Sequence, residues 1–153
     1  MQDLSGSFVA LVTPMFENGD IDYVSLKNLI DWHFHSGTDG IVSVGTTGES
    51  ATINFNDHHD VLKETLNMIN GRMIAVAGTG ANSTEEAKDL SLEAERIGYK
   101  YSLSVTPYYN KPTQKGLIKH YEYITGKSEI SQILYNVPSR TACDLSLIHI
   151  SEP

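Results

Sequence analysis

Five short apolar runs alternate with four longer amphipathic segments along the chain. The runs are apolar at consecutive positions, which is typical of parallel strands buried on both faces. They predict strands over residues 8–14, 40–47, 73–80, 101–109 and 132–139. The segments between them have apolar positions three or four residues apart and predict helices over 22–37, 56–71, 83–98 and 113–125. The predicted order is therefore a strand followed by a helix, repeated, with a fifth strand at the end.

Polar residues and glycines mark the ends of these predicted helices. Asn56 is the expected N-cap of the second helix. Ser83 and Glu86 form a predicted capping box for the third, in which each side chain bonds the other residue's backbone amide. The expected helix ends are at Gly37, Gly71 and Gly98. On the first helix, Trp32 and Phe34 are expected to be packing residues.

Alternating strands and helices with short loops lead to two architectures, an open doubly wound sheet or a (β/α)8 barrel. Polar residues follow the predicted strands, where a barrel carries its active site, although an open sheet also binds ligands there. These residues are Thr13, Thr46, Thr47, Thr79, Thr106, Tyr108, Tyr109, Tyr135, Ser139 and Arg140. Their position favours the barrel. A complete barrel takes about 250 residues, so the 153 residues here are expected to cover its first half.

Composition and charge narrow the classes of function. The formal net charge of −8 argues against nucleic acid or an anionic membrane as the main partner, because either would need a basic patch. We also expect no signal peptide and no membrane span, since no run approaches roughly 18 apolar residues. The single cysteine, Cys143, excludes an internal disulfide and is expected to be a small buried thiol. Together these features predict a cytoplasmic protein.

Several ligand-binding motifs are incomplete in this sequence. The segment GTTGES lacks the lysine of a Walker A phosphate loop. The segment GTGANS has Ser83 in place of the third glycine of a dinucleotide loop, so a helix cap is the better interpretation. The histidines of HFH and DHHD do not have zinc-ligand spacing and are interpreted as surface or interface residues. We therefore predict no metal site and no cofactor.

A group of hydroxyl side chains carries the clearest chemical signal. Thr46 and Thr47 follow the second predicted strand, while Tyr109 follows the fourth. Tyr135 lies at the fifth, with Arg140 shortly after it. Hydrogen-bonded hydroxyls can pass protons without a metal, and a guanidinium binds a carboxylate at two points. The pattern indicates acid–base chemistry on a small carboxylic acid. The alternative, that these side chains only cap backbone groups at strand ends, stays open on the residues alone.

Four motifs in this order resemble the 4-hydroxy-tetrahydrodipicolinate synthase family, formerly the dihydrodipicolinate synthases. They are GSFVALVTPM near the start, GTTGES after the second strand, TPYYNKP after the fourth and YNVPSRT after the fifth. The resemblance extends from Gly6 to Leu145. It implies a (β/α)8 TIM barrel, of which this chain has about the first five strands and four helices. It also implies a homotetramer, built as a dimer of dimers.

The chemistry that the resemblance implies is that of class I aldolases, which also include N-acetylneuraminate lyase. A lysine forms a Schiff base with pyruvate, which condenses with L-aspartate 4-semialdehyde in lysine and diaminopimelate biosynthesis, without a cofactor. Tyr135 is implied as proton donor and acceptor, and Thr46 as its link to Tyr109, which in this family reaches the site of the neighbouring subunit. Thr47 is implied to bind the pyruvate carboxylate, and Arg140 the carboxylate of the semialdehyde.

A regulatory lysine site is implied by the many bacterial relatives that bind lysine at a dimer interface. The matching residues here are Ser50, Ala51, His58, Asn82, Glu86 and Tyr108. Glu86 and the neighbouring amides suit a zwitterionic amino acid, while the capping box is the alternative role of that carboxylate. Phe55 stands where inhibited relatives commonly have a histidine, and this departure weakens the expectation of feedback inhibition.

The end of the chain departs from the family pattern. The Schiff-base lysine of the family lies on the sixth strand and is therefore expected beyond Pro153. Residues 1–145 are expected to form the N-terminal part of a single barrel domain. Residues 146–153, SLIHISEP, do not match the family and suggest a sequencing or gene-end artefact. We expect an incomplete, inactive copy of the enzyme. The alternatives are another pyruvate-dependent aldolase of the family and a non-catalytic module that binds small acids.

Overall fold

The structure is a computed structural model that describes residues 4–146. The tail predicted over residues 146–153 therefore lies outside the described residues, apart from Ser146. The chain divides into two compact units, Met1–Gly78 and Thr79–Pro153. The five predicted strands and four predicted helices are all present, and a short additional helix follows the fifth strand. Among residues 4–146, no helix combines the length and the apolar character needed to cross a membrane.

The first unit consists of three parallel strands and two helices. The strands are β1 (Phe8–Ala10), β2 (Gly40–Ser43) and β3 (Ile74–Gly78), and they pair in that order. Helix α1 covers Tyr23–His35 and helix α2 covers Phe55–Ile69. The helices and strands share a set of fully buried apolar side chains: Leu26, Ile30, Ile41, Val61, Leu62, Ile69 and Val76. Burial of each such side chain contributes roughly 1.5–3 kcal/mol, which holds the helices against the strands.

The second unit consists of two parallel strands and three helices. The elements are α3 (Thr84–Ile97), β4 (Tyr101–Val105), α4 (Gln114–Thr125), β5 (Ser131–Tyr135) and α5 (Pro138–Thr141). Its core is a cluster of Ala81, Ala87, Leu117, Tyr121, Ile124, Cys143 and Leu145. The expectation of a buried thiol is therefore confirmed, and burial raises the pKa of Cys143.

The two faces of β5 differ in how they are covered. Leu134 packs against the core cluster of the second unit. Ile133 and Tyr135 point to the opposite side, because side chains alternate along a strand. All five residues of β5 are only partly buried. Within this unit, only the face of Leu134 packs against the core cluster, and neither face is fully buried.

The helix ends agree with the predictions at α3 but not at α1 and α2. At α1 the C-cap is Ser36, one residue before the predicted Gly37. Helix α2 differs from the prediction at both ends. The side chain of Asn54, rather than Asn56, caps this helix by accepting a hydrogen bond of 3.0 Å from the amide of Asp57. The helix ends at Asn70 in the left-handed conformation, one residue before the predicted Gly71. At α3, Ser83 accepts from the amide of Glu86 at 3.4 Å, as predicted for the first half of the capping box.

The expectation that the aromatic residues of α1 pack inside is wrong within this chain. Trp32 is 61% exposed and Phe34 is 38% exposed. The buried residues of α1 are Leu26 and Ile30. Trp32 is two positions after Ile30 and therefore lies on a different side of the helix, whereas Phe34 continues the row of Leu26 and Ile30 at the end of the helix. Phe34 instead lies under the guanidinium of Arg72, whose central carbon is 4.8 Å from the ring centroid.

Candidate functional site

The segment from Val44 to Ser50, called here the threonine turn, leaves β2 through a strained backbone. The apolar pattern predicted a strand up to residue 47, but β2 ends at Ser43. Val44 has φ 51° and Glu49 has φ 62°. A β-branched residue rarely adopts a positive φ, which costs on the order of 1–3 kcal/mol and persists only where the surroundings enforce it. The side chain of Val44 is 1% exposed, so buried contacts enforce this conformation.

Three contacts inside the first unit hold the threonine turn in place. A Cβ added to Gly78 would lie 2.1 Å from the carbonyl oxygen of Val44, so only glycine lets the end of β3 approach so closely. A Cβ added to Gly48 would lie 3.0 Å from the Cα of Val44. The buried hydroxyl of Thr13 donates to the carbonyl oxygen of Gly48 at 2.8 Å. These contacts fix the backbone on both sides of the paired threonines.

Backbone hydrogen bonds close the threonine turn without using the threonine hydroxyls. The amide of Glu49 donates to the carbonyl of Thr46 at 3.2 Å, and the amide of Ser50 donates to the carbonyl of Gly45 at 3.3 Å. Thr46 is partly buried and Thr47 is exposed. The turn therefore presents two hydroxyls at the carboxyl end of β2, at different depths.

Residues 106–111, called here the tyrosine loop, follow β4 in the second unit. The amide of Thr106 donates to the carbonyl of Tyr135 at 3.1 Å, which ties the start of the loop to the end of β5. Further along, the side chain of Asn110 donates to the carbonyl of Asn82 at 3.1 Å. Tyr109 itself has φ 73° and is 89% exposed. Its side chain extends away from its own chain, which makes it available to a partner.

The end of β5 carries the remaining two predicted catalytic or substrate-binding residues. Tyr135 is the last residue of the strand and is partly buried. The next residue, Asn136, donates to the carboxylate of Asp144 at 2.8 Å and accepts from the amide of Leu145 at 3.0 Å. These bonds fix the segment around α5, on which Arg140 lies exposed. The second unit thus presents a phenol and a guanidinium beyond the carboxyl ends of its strands.

Three of the six predicted lysine-site residues come together in the second unit. Tyr108 lies beside the backbone of Asn82 and the carboxylate of Glu86. Burial, followed by the negative charge of Glu86, raises the pKa of Tyr108, while a hydrogen bond with the Asn82 backbone opposes this rise. The negative charge of Glu86 that acts on this phenol can also attract an ammonium group.

The other three lie in the first unit, where one of them is deeply buried. Ser50 and Ala51 end the threonine turn, whereas His58 on α2 is 3% exposed. The Nε2 of His58 is 2.8 Å from the carbonyl oxygen of Gly78. Because a carbonyl oxygen only accepts, this nitrogen carries a hydrogen and donates it. Burial lowers the pKa of His58, and its bond to Gly78 partly offsets that effect.

The interpretation of the DHHD histidines as surface or interface residues is therefore wrong for His58. A signal in the sequence was available, because the buried residues of α2 recur three or four positions apart. They are His58, Val61, Leu62, Thr65 and Ile69. A histidine in register with an apolar helix face is more often buried than exposed. Its predicted role as a lysine ligand stays a prediction.

Within residues 4–146, no lysine lies on a strand. The lysines on helices are Lys27, Lys63, Lys88, Lys115 and Lys119, and those in loops are Lys100, Lys111 and Lys127. Hydrogen bonds to Glu85 and Asp89 raise the pKa of Lys88, the opposite of what a nucleophilic amine needs. The same described residues contain no group of three or more His, Cys, Asp or Glu side chains that could hold a metal ion.

Comparison with known proteins identifies relatives along almost the whole chain. Residues 3–152 match the dihydrodipicolinate synthetase family. A 4-hydroxy-tetrahydrodipicolinate synthase of Nitrosospira multiformis is 54% identical over 143 residues, which are 94% of this chain and 48% of that protein. The synthase of Ruthia magnifica is 56% identical over 142 residues, covering 93% and 48% of the two chains. The chain thus spans about half the length of the curated relatives it matches.

A solved structure agrees with this match. The dihydrodipicolinate synthase of Acinetobacter baumannii, chloride-inhibited and complexed with pyruvate, superposes with a TM-score of 0.94 at 50% identity. The match covers 96% of this chain and 50% of that one. The predicted fold class is confirmed as the N-terminal half of a (β/α)8 barrel, with five strands and their helices. The open doubly wound sheet is thereby excluded.

Proposed function

The chain belongs to the dihydrodipicolinate synthetase family, and we propose that it supplies the N-terminal half of an enzyme that condenses pyruvate with L-aspartate 4-semialdehyde. The product is 4-hydroxy-tetrahydrodipicolinate, on the route to diaminopimelate and lysine. The observation that carries the proposal is the family match over residues 3–152, combined with hydroxyl and guanidinium side chains at the carboxyl ends of β2, β4 and β5. That end of the strands is where barrel enzymes place their chemistry.

The reaction needs proton transfers that hydroxyl side chains can perform. A lysine amine attacks the keto carbon of pyruvate, and water leaves as the Schiff base forms. A proton then leaves the pyruvate methyl carbon, and the resulting carbon nucleophile attacks the aldehyde carbon of the second substrate. In this proposal Tyr135 gives and takes these protons, and Thr46 connects it to Tyr109. The assignment rests on the family motifs, and it is supported by the partly buried positions of Tyr135 and Thr46.

Two further residues are proposed to bind substrate carboxylates. Thr47 is exposed on the threonine turn, where its hydroxyl and the adjacent backbone amides suit the carboxylate of pyruvate. Arg140 is exposed on α5, and its planar fork of donors suits the carboxylate of the semialdehyde. Neither role requires a metal or a cofactor.

The nucleophilic lysine is proposed to lie outside residues 4–146. A Schiff-base lysine must be neutral near pH 7, which is achieved by removing the amine from water inside a barrel. The lysines of the described residues lie on helices or in loops, and most of them are exposed. We therefore propose that residues 1–153 alone do not form the pyruvate adduct and are inactive.

The regulatory and cellular assignments follow the family in the same way. Lysine is proposed to bind beside Asn82, Glu86 and Tyr108, whose grouping in the second unit supports an ammonium-binding role for the carboxylate. Ser50, Ala51 and His58 complete the proposed set. The complete enzyme is proposed to be a cytoplasmic homotetramer, and the exposed side chain of Tyr109 supports a contribution to a neighbouring subunit.

A hybrid protein tests the proposed reaction directly. It joins residues 1–146 of this chain to the remaining C-terminal half of the Nitrosospira multiformis synthase. We expect the hybrid to convert pyruvate and aspartate semialdehyde and to leave N-acetylneuraminate uncleaved. A folded hybrid that cleaves N-acetylneuraminate would instead indicate another aldolase of the family. A folded hybrid without either activity would favour a non-catalytic module that binds small acids.

A further inference from the structure

We propose that His58 is a positioning residue for the threonine turn, acting through the carbonyl group of Gly78. His58 is on α2 and Gly78 ends β3, so the contact joins two elements of the first unit. In this proposal, the imidazole of His58 fixes the backbone conformation of the threonine turn. The expected effect of His58 on turnover rests on the proposed function, whereas its expected effect on the backbone of the threonine turn does not.

The first step is the contact between His58 and Gly78. The imidazole is 3% exposed, and its Nε2 donates to the carbonyl oxygen of Gly78 at 2.8 Å. On the same helix, Val61 and Leu62 are fully buried, so the backbone that carries the ring is anchored. An imidazole has only two side-chain torsions and a rigid ring. His58 therefore acts as a stiff link between α2 and the end of β3.

The second step is the contact between Gly78 and the threonine turn. A Cβ built on Gly78 would lie 2.1 Å from the carbonyl oxygen of Val44, 2.5 Å from its carbonyl carbon and 2.7 Å from the amide nitrogen of Gly45. The Cα of Gly78 therefore packs directly against the peptide that joins these two residues. Any rotation of the backbone at Gly78 therefore changes the atoms that contact the Val44–Gly45 peptide.

The third step is the strain at Val44. Its φ of 51° is unfavourable for a β-branched residue, so the turn relaxes unless its neighbours prevent this. Glycine has more backbone freedom than any other residue, and the Gly78 peptide needs an external restraint to serve as a fixed support. The bond from His58 restrains the carbonyl of the Gly78–Thr79 peptide, whose amide donates to the carbonyl of Leu103 at 3.1 Å. Losing it also leaves a buried carbonyl without its imidazole donor, which favours rearrangement at this point.

The consequence reaches the threonine hydroxyls without direct contact. Thr46 and Thr47 are two and three residues beyond Val44, so a change in the Val44–Gly45 peptide moves both hydroxyls. Displacement of a catalytic group by about 1 Å can reduce turnover by up to 10²-fold. His58 would thus influence turnover through Thr46 and KM for pyruvate through Thr47, although it touches neither substrate.

Three substitutions at His58 separate the effect of its hydrogen-bond donor from the effect of its side-chain volume. The amide nitrogen of His58→Gln reaches about as far as Nε2 and can still donate. The amide of His58→Asn is too short to reach Gly78, and His58→Leu removes the donor altogether. The matched control is His59→Leu at the neighbouring position of α2, whose Nδ1 is 2.9 Å from Asp60 rather than near Gly78.

Two measurements apply to these variants. Amide hydrogen exchange at Glu49 and Ser50, whose amides donate to the carbonyls of Thr46 and Gly45, reports the turn directly in both the 153-residue chain and the hybrid. We expect exchange to accelerate about tenfold or more in the Asn and Leu variants, and to stay near the parent value in the Gln and His59→Leu variants. In the hybrid we expect kcat to fall at least about tenfold in the Asn and Leu variants, with KM for pyruvate raised as well because Thr47 moves with Thr46.

The outcomes distinguish this inference from the proposed function. Rescue of both exchange and kcat by Gln supports positioning through the Gly78 carbonyl. Unchanged exchange at Glu49 and Ser50 in the Asn and Leu variants would overturn it. If the Leu variant does not fold, the exchange rates and kcat of the Asn and Gln variants decide whether His58 acts through the Gly78 carbonyl. If the parent hybrid is folded but inactive, the proposed function fails, and the exchange measurement still decides the role of His58.

Discussion

The threonine turn and the tyrosine loop both carry proposed catalytic hydroxyls on strained backbone, but they are held in very different ways. The turn has Val44 at φ 51° with a side chain that is 1% exposed. The loop has Tyr109 at φ 73° with a side chain that is 89% exposed. Buried contacts from Thr13 and Gly78 support the turn, whereas the tip of the loop lies in solvent.

This difference indicates which contacts determine the backbone of the threonine turn and which determine the position of Tyr109. The first unit fixes the backbone of the threonine turn by itself, because the supporting residues come from β3 and from the segments beside β1 and β2. Nothing comparable buries the side chain of Tyr109 within residues 4–146. Its final position therefore depends on whatever packs against it, as expected if this tyrosine contributes to a neighbouring subunit as we propose.

The largest effect is expected from Gly78→Ala in the hybrid. The added Cβ would meet the Val44 carbonyl oxygen at 2.1 Å, and backbone cannot move aside cheaply. We expect the free energy of unfolding to fall by about 3 kcal/mol or more, measured by urea denaturation. The control is Gly116→Ala, where the nearest atoms are an ordinary 3.4 Å away. Equal stability of the two variants would contradict the support attributed to Gly78.

The next largest effect is a loss of kcat when hydroxyls of the proposed proton relay are removed. In the hybrid, Tyr135→Phe and Thr46→Val should each lower kcat by roughly 10² or more, because each removes a hydroxyl needed for proton transfer. The double variant should lose little beyond the slower single variant, since members of one relay are not additive. Thr47→Val should act mainly on KM for pyruvate. Fully additive losses from Tyr135 and Thr46 would show that the two hydroxyls act separately.

A smaller loss of stability is expected from Thr13→Val. The substitution keeps the shape of the side chain but removes the donor to the buried carbonyl of Gly48. We expect a loss of about 1–2 kcal/mol in the free energy of unfolding of the hybrid. Thr52→Val is the matched control, because its hydroxyl donates to Glu49 at an exposed position and should cost less than about 0.5 kcal/mol. A similar cost at both positions would mean that the turn is not held from Thr13.

The smallest effect on stability is expected from Tyr109→Ala. Under dilution to the monomeric hybrid, the free energy of unfolding should change by less than about 0.5 kcal/mol, because the side chain is 89% exposed. Turnover at concentrations that allow assembly should nevertheless fall. A loss of stability above about 1 kcal/mol in the monomer would show that its own chain, rather than a partner, holds the tyrosine.

The element order could be predicted from hydrophobic patterning, but the ends of the elements could not. The continuous apolar runs identified all five strands because buried parallel strands have no polar face. The same signal extended β2 to residue 47, since Val44 is apolar and buried although it lies in a turn. At α2 two asparagines stand near the start, and the structure uses Asn54 as the cap. Local sequence does not distinguish such alternatives.

The residues of the candidate site could be predicted only in part from the sequence. Hydroxyl residues at strand ends are visible as a pattern, so Thr46, Thr47 and Tyr135 could be proposed. The supports of the threonine turn could not, because Gly78 acts through a close backbone approach that joins β3 to a residue far away in the sequence. The burial of His58 was in principle visible from the periodicity of α2, but its carbonyl partner was not.

The most direct test of the account is to trap the pyruvate adduct with borohydride and locate it by peptide mass mapping. The central claim is that this chain supplies the proton-transfer and carboxylate-binding groups, while the nucleophilic amine lies outside residues 4–146. With pyruvate and borohydride, the hybrid should gain one reduced pyruvate per chain, on a lysine of the C-terminal half. The 153-residue chain treated in the same way should keep its mass. A stoichiometric adduct on one of the lysines between residues 4 and 146, in either protein, would contradict the claim.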